Sequence, residues 1–178
     1  MTSTRSRALR AAVELVGSEG VRALTHGRVD AAASLPPGST SNHFRTRAAL
    51  VAGVIEWIAA AERADAGVPE ITTREQLIAA LSRMIEAQSG PLAARTRARY
   101  ALFLEADEDA TRPLVAQRDV FEDWVRAILR DLGGTRAEQR AVFLMATAEG
   151  LLLHRLTVDP DAPVDDVIAR AVDAALAR

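Results

Sequence analysis

The chain has 178 residues, 49% of them hydrophobic, with no cysteine and no lysine; all 22 basic residues are arginine. This length can bury a core, the lack of cysteine excludes disulfides and thiolate metal sites, and no apolar run reaches the roughly 18 residues that span a bilayer. The formal charge of −2 hides a division: residues 1–47 carry seven Arg against three acids, and the rest of the chain carries 15 Arg against 21 acids. A basic head on an acidic body suits attraction to phosphate, because the field of a charge is local and screened beyond about 10 Å.

Strand signals are nearly absent, so helices carry the reading. Leu9, Ala12, Val13 and Val16 place a first helix over 4–18, ending at Gly20. A second short helix is expected over 26–33 on Val29, Ala32 and Ala33. A tight connection comes next at Ser34-Leu35, and a third helix over 37–43 would have Pro37 at its first position. Thr46 reads as the cap of a long fourth helix, 47–66, striped with Leu50, Val54, Trp57, Ile58 and Ala61 and stopped before Gly67-Val68-Pro69. Thr73 starts the fifth, with Leu77, Leu81, Met84 and Ile85 inward. A sixth over 92–106 carries Tyr100, Phe103 and Leu104. An acidic connection, Glu105 to Asp109, precedes a seventh helix opened by Pro113 and closed by Gly133-Gly134. The eighth, 136–157, contains AVFLMATAEGLLLHRL, which is apolar almost all round and so has to be buried on every side. A ninth spans 164–177.

Two short helices joined by a tight turn, the second rich in small polar groups, form the pattern of a DNA-binding helix-turn-helix. In Pro37-Gly38-Ser39-Thr40-Ser41-Asn42-His43, Asn42 can pair bidentately with adenine, and the hydroxyls can serve donor or acceptor edges. Thr25, His26 and Arg28 would sit beside the backbone at the start of the second helix, and Arg45 and Arg47 are phosphate candidates. No catalytic residue, metal ligand set or cofactor site is expected. Glu149 and His154 are separated by roughly 500° of helix rotation, which sets them well apart around the helix, and there is neither an HExxH nor a calcium-loop spacing. Arg95 and Arg99 share a helix face, which reads as solvated or as a place for an anion.

The motif Leu24-Thr25, Ala32-Ala33, Gly38-Ser39, His43-Phe44, Thr46-Arg47 and Leu50 resembles the N-terminal domain of the TetR family of bacterial transcriptional regulators. Relatives commonly have Tyr at Ser41, Gly at Ser34, a capping Ser at Pro36, Ala at Asp30 and Lys at Arg47. The resemblance implies an all-α, nine-helix fold with a helix-turn-helix head over 1–46 and a ligand-binding and dimerisation body over 47–178. It further implies a cytoplasmic, non-enzymatic regulator, a repressor that binds a palindromic double-stranded operator as a homodimer and is released by a small-molecule effector, with no membrane partner. A ligand cavity among the middle helices would then involve Trp57, Ala61, Met84, Tyr100, Phe103, Phe121, Trp124 and Met145, and would suit a largely apolar effector. The last two helices would pair with their copies through Phe143, Leu151, Leu152, Leu153, His154, Val167 and Val172. The alternatives are an all-helical small-molecule-binding protein or enzyme without DNA function, and an adaptor that binds only protein.

Overall fold

A computed structural model describes residues 3–65 and 70–177. Every extended element among them is helical: α1 (Thr4–Glu19), α2 (His26–Ala32), α3 (Ser39–His43), α4 (Arg47–Asp65), α5 (Arg74–Ser89), α6 (Ala93–Glu105), α7 (Glu108–Glu138), α8 (Ala141–Thr157) and α9 (Asp165–Leu176), with a 3₁₀ turn at Val21–Ala23. The expected stop of the fourth helix at Gly67-Val68-Pro69 lies outside the described residues.

Local chemistry sets most of the boundaries. The Thr25 and Thr46 hydroxyls accept from the N–H groups of Arg28 and Ala49, starting α2 and α4. Thr73 and Gln76 cap α5 reciprocally, each side chain accepting from the other residue's backbone N–H. Gly20, with φ at 81°, ends α1.

Three expected boundaries move. Pro37 does not begin α3: it occupies a turn in which Ser39 N–H donates to the Pro36 carbonyl (3.1 Å) and Gly38 takes φ 89°. Gly at the second central position supplies the positive φ that a type II turn requires, and Pro suits the first. α7 starts at Glu108, five residues before Pro113, and Glu108 and Asp109 lie in its first turn, where negative charge suits the helix dipole. The expected break at Gly133-Gly134 is real, since Gly134 has φ 74° and ψ −170°. Only one helical turn comes after it, however, and α8 begins at Ala141.

Packing divides the chain into two units, one made of residues 1–66 and 93–117 and the other of 67–92 and 118–178. The core of the first unit therefore continues past residue 46, joining Leu9, Val13 and Val16 of α1 to Leu50, Val54, Ile55 and Ile58 of α4 and Ala98 and Leu102 of α6. α1 and α6 meet through small residues: a Cβ added to Gly17 would lie 2.2 Å from the Ala94 carbonyl oxygen. In the second unit α5, α8 and α9 pack together. Leu77, Leu81 and Ile85 of α5, Leu144 and Leu152 of α8, and Ile168 and Val172 of α9 are buried. Arg74 of α5 grips Asp173 of α9 through two hydrogen bonds, 2.5 and 2.8 Å, and Arg140 donates to the terminal carbonyls of α9.

Gly17→Ala should therefore push α1 and α6 apart and cost about 1–3 kcal/mol, because the atom met is backbone and cannot swing aside. Thermal unfolding checks this; an unchanged melting temperature would mean the α1–α6 contact is looser than described.

Candidate nucleic-acid interface

The turn between α2 and α3 is built from constrained backbone. Ser34 takes φ 51°, a left-handed conformation that a glycine adopts without strain. The Arg7 guanidinium, reaching over from α1, donates to the Ala33 and Ser34 carbonyls at 2.8 and 3.1 Å. Ser39 Oγ donates back to the Pro36 carbonyl, and Ser41 Oγ to that of Gly38.

α3 has only five residues, and its capping residue, Gly38, offers no side-chain acceptor. The acceptor comes from α2. Asp30, 4% exposed, takes the Gly38 N–H on Oδ2 (2.8 Å), and the Thr40 N–H (2.8 Å) and hydroxyl (2.5 Å) on Oδ1. Burial disfavours the charged carboxylate, yet the Thr40 and Gly38 donors and the nearby His26 together hold the Asp30 carboxyl below the ordinary aspartate range. At the other end of α3, His26 Nε2 lies 2.6 Å from the Phe44 carbonyl oxygen, which can only accept, so this nitrogen donates. The Phe44 ring is buried over Gly53, whose missing Cβ would sit 2.4 Å from it, and lies under the Arg5 guanidinium at 5.3 Å.

These contacts sort the expected DNA-facing residues. Thr40 is fully buried and committed to Asp30, which removes it from the base-reading candidates. Arg28 donates to both oxygens of Glu19 (2.7 and 2.6 Å), and Arg47 to the Val21 carbonyl, so a phosphate would compete with existing partners. Thr25 caps α2 and His26 holds Phe44. Pro37 and Gly38 are exposed turn residues, while Ser39 and Ser41 are half-buried with engaged hydroxyls. Asn42, His43 and Arg45 are exposed, and no side-chain hydrogen bond holds any of them. The sequence marked Asp30 as unusual but gave no sign of its role, because its partners lie eight and ten residues away.

The expected ligand contacts fall into two groups. In the first unit Trp57, Ala61, Tyr100 and Phe103 are half-buried, and Trp57 and Phe103 pack against its core. Arg95 pairs with Asp65 (2.6 Å) and Arg99 with Glu62 (3.5 Å), so these arginines are mostly buried and ion-paired rather than a solvated face. Burial pushes the Glu62 carboxyl above its ordinary range, more than Arg99 and Arg95 pull it down. In the second unit the Phe121 and Trp124 rings stack with centroids 5.5 Å apart, Met84 is half-buried and Met145 buried.

α8 departs from expectation. Leu151, Leu152 and, on α9, Val172 lie in the chain's own interior, whereas Val142 (54%), Phe143 (48%) and Leu153 (48%) face outward. With Ala146, Gly150 and the exposed His154 they make one continuous seam at helical spacing. Val167 of α9 is half-buried. Glu149 pairs with Arg118 of α7, apart from His154. Among the described residues no group of His, Asp and Glu is placed to hold a metal ion, and no helix is long and apolar enough to cross a membrane.

Residues 72–178 match the family model described as the tetracycline repressor-like C-terminal domain. A TetR-family protein from Streptomyces coelicolor A3 superposes with a TM-score of 0.74 at 26% identity, covering 98% of this chain and 99% of its own. The multidrug-binding protein EbrR, solved with ethidium, gives 0.66 at 27% identity, covering 97% and 98%. A transcriptional regulator from Rhodococcus sp. Rha1 gives 0.76 at 22% identity, covering 98% and 94%, a likeness of fold. A search of curated proteins finds no match. With the helix-turn-helix at its N-terminus and this match over its body, the chain belongs to the TetR family of bacterial transcriptional regulators.

Asp30→Asn should lower stability at neutral pH by about 1.5–3 kcal/mol, since it sets an amide N–H against one of the backbone donors. The folded carboxyl titrates below its unfolded value, so its contribution is fully present above about pH 4 and is lost as pH falls through the lower, folded value. The variant should lack that acid-side loss in denaturant titrations across pH 2–7. Parallel profiles for the two proteins would remove Asp30 as the cap.

Proposed function

We propose that this regulator acts as a homodimeric repressor that places α3 of each subunit in the major groove of a palindromic operator, with half-sites about 34 Å apart. The observation that carries this reading is the contrast within the head. The side chains of His26, Arg28, Asp30, Ser39, Thr40 and Ser41 are tied down by hydrogen bonds within the head, while at and just past the far end of α3 Asn42, His43 and Arg45 are exposed with no side-chain hydrogen bond. Asn42 suits an adenine edge and Arg45 a phosphate. The exposed seam of Phe143, Ala146, Gly150 and Leu153 supports pairing with a second copy, because small residues let two helices approach closely and the flanking apolar groups gain by burial.

An effector binding beside Trp57 on α4 and Phe103 on α6 would favour one arrangement of helices that pack directly on the head. EbrR was solved with ethidium and proflavin, flat aromatic cations, which supports an aromatic effector here. Such a repressor needs no catalytic group and would work in the cytoplasm, where its operator lies.

Fluorescence anisotropy on an operator duplex tests the reading. Asn42→Ala should cost about 1–3 kcal/mol at one base position, and Arg45→Ala should weaken all duplexes alike while lowering the salt slope by about one. Equal weakening of every operator variant by Asn42→Ala would end its base-reading role.

Leu153→Arg should put an unpaired charge into the subunit seam and split the dimer, abolishing tight operator binding. A variant that still sediments as a dimer would place the interface elsewhere. Trp57→Ala and Phe103→Ala should keep operator affinity within about tenfold yet lose effector release; normal release in both would move the ligand site.

A further inference from the structure

A helix of five residues does not persist in water without help, because nucleation costs more than so few internal hydrogen bonds return. α3 has neither length nor a cap of its own, yet it has to present Asn42 at a fixed angle. Both of its ends are held by one neighbouring helix. Asp30 collects the Gly38 N–H, the Thr40 N–H and the Thr40 hydroxyl at the N-terminal end, and His26 donates to the Phe44 carbonyl at the C-terminal end. Asp30 and His26 are four residues apart on α2, the spacing that puts two side chains on one helix face. α2 is in turn fixed by the fully buried Val29 and by Arg7 at its C-terminal turn.

We propose that Asp30 and His26 are positioning residues that clamp α3 at both ends and set the register in which its exposed side chains meet base edges. The proposal rests on the reading of α3 as the DNA-contacting helix. Its consequence is selective. Bidentate base contacts tolerate little rotation or shift, whereas phosphate attraction survives both. Releasing the clamp should therefore cost sequence discrimination and leave non-specific binding intact.

The test uses the full chain, an operator duplex selected by the wild type, and a shuffled duplex, at a temperature where circular dichroism shows every variant folded. Asp30→Ala should lose roughly tenfold or more in operator affinity, with shuffled-duplex affinity and salt slope unchanged. His26→Ala should lose discrimination in the same direction, and His26→Gln, whose amide can still donate to the Phe44 carbonyl, should restore it. Val13→Ala, a cavity in the core of this unit at a residue that makes none of the clamp's hydrogen bonds, lowers melting temperature as a structural control and should keep the wild-type operator-to-shuffled ratio. The clamp is overturned if Asp30→Ala and His26→Ala discriminate like wild type, or if Val13→Ala loses as much discrimination as they do. Should Asp30→Ala not fold, the His26→Ala and His26→Gln pair decides alone. If the wild type selects no duplex at all, the DNA reading fails and amide exchange judges the clamp. The Phe44 and Thr40 amides should then exchange at least about tenfold faster in His26→Ala and Asp30→Ala respectively, and wild-type rates would refute it.

Discussion

The buried carboxylate of Asp30 occupies the place where a short helix would otherwise begin with unpaired backbone donors. Removing a charged group from water costs free energy that only close hydrogen bonds return, and three donors within 2.8 Å return it here. Much of the head depends on that arrangement. Thr40 turns inward because its hydroxyl is the third donor, so the exposed polar side chains of α3 are Asn42 and His43, with Ser39 and Ser41 half-buried beside them. Phe44, whose carbonyl is held by His26, sends its ring into the core over Gly53, and α4 is thereby joined to the end of α3.

The charge division in the sequence acquires a finer meaning once partners are known. Of the seven arginines in residues 1–47, Arg7 and Arg47 donate to backbone carbonyls, Arg28 is paired with Glu19 and Arg5 lies over Phe44. The positive field remains, since such pairing does not discharge a guanidinium, but the side chains free to move toward a phosphate are fewer than the count suggests. In the body nearly the same residue types make a scaffold: Arg74 with Asp173, Arg118 with Glu149, and Arg130 with Glu138 join helices or close turns. Pairs this exposed add little to stability each and serve mainly to fix register.

Elements governed by local chemistry were legible in the sequence. Gly20, Thr25, Thr46 and Thr73 mark helix ends through contacts within four residues, and the apolar stripes of α1 and α5 name their own buried faces. Features governed by distant partners were not. Pro36-Pro37-Gly38 fits a helix start and a type II turn equally well, and the outcome depends on the carboxylate on α2. Pro113 reads as a first helical residue, yet α7 runs back to Glu108 and holds the proline in its second turn, where it has no N–H to offer the Asp109 carbonyl. The hydropathy of α8 announces burial on all sides without saying which side the chain itself supplies. α5 and α9 cover Leu151 and Leu152 and leave Phe143 and Leu153 outside. Arg95 and Arg99 illustrate the same limit, since their partners Asp65 and Glu62 come from α4, 30 and 37 residues upstream.

Selection from a random duplex library by the purified protein, followed by sequencing of the bound fraction, asks whether paired α3 helices read a symmetric operator. The expected outcome is a motif with two-fold symmetry whose half-sites repeat about one helical turn apart, roughly 10 base pairs. Recovery of duplexes no richer in any symmetric motif than the starting library would contradict it.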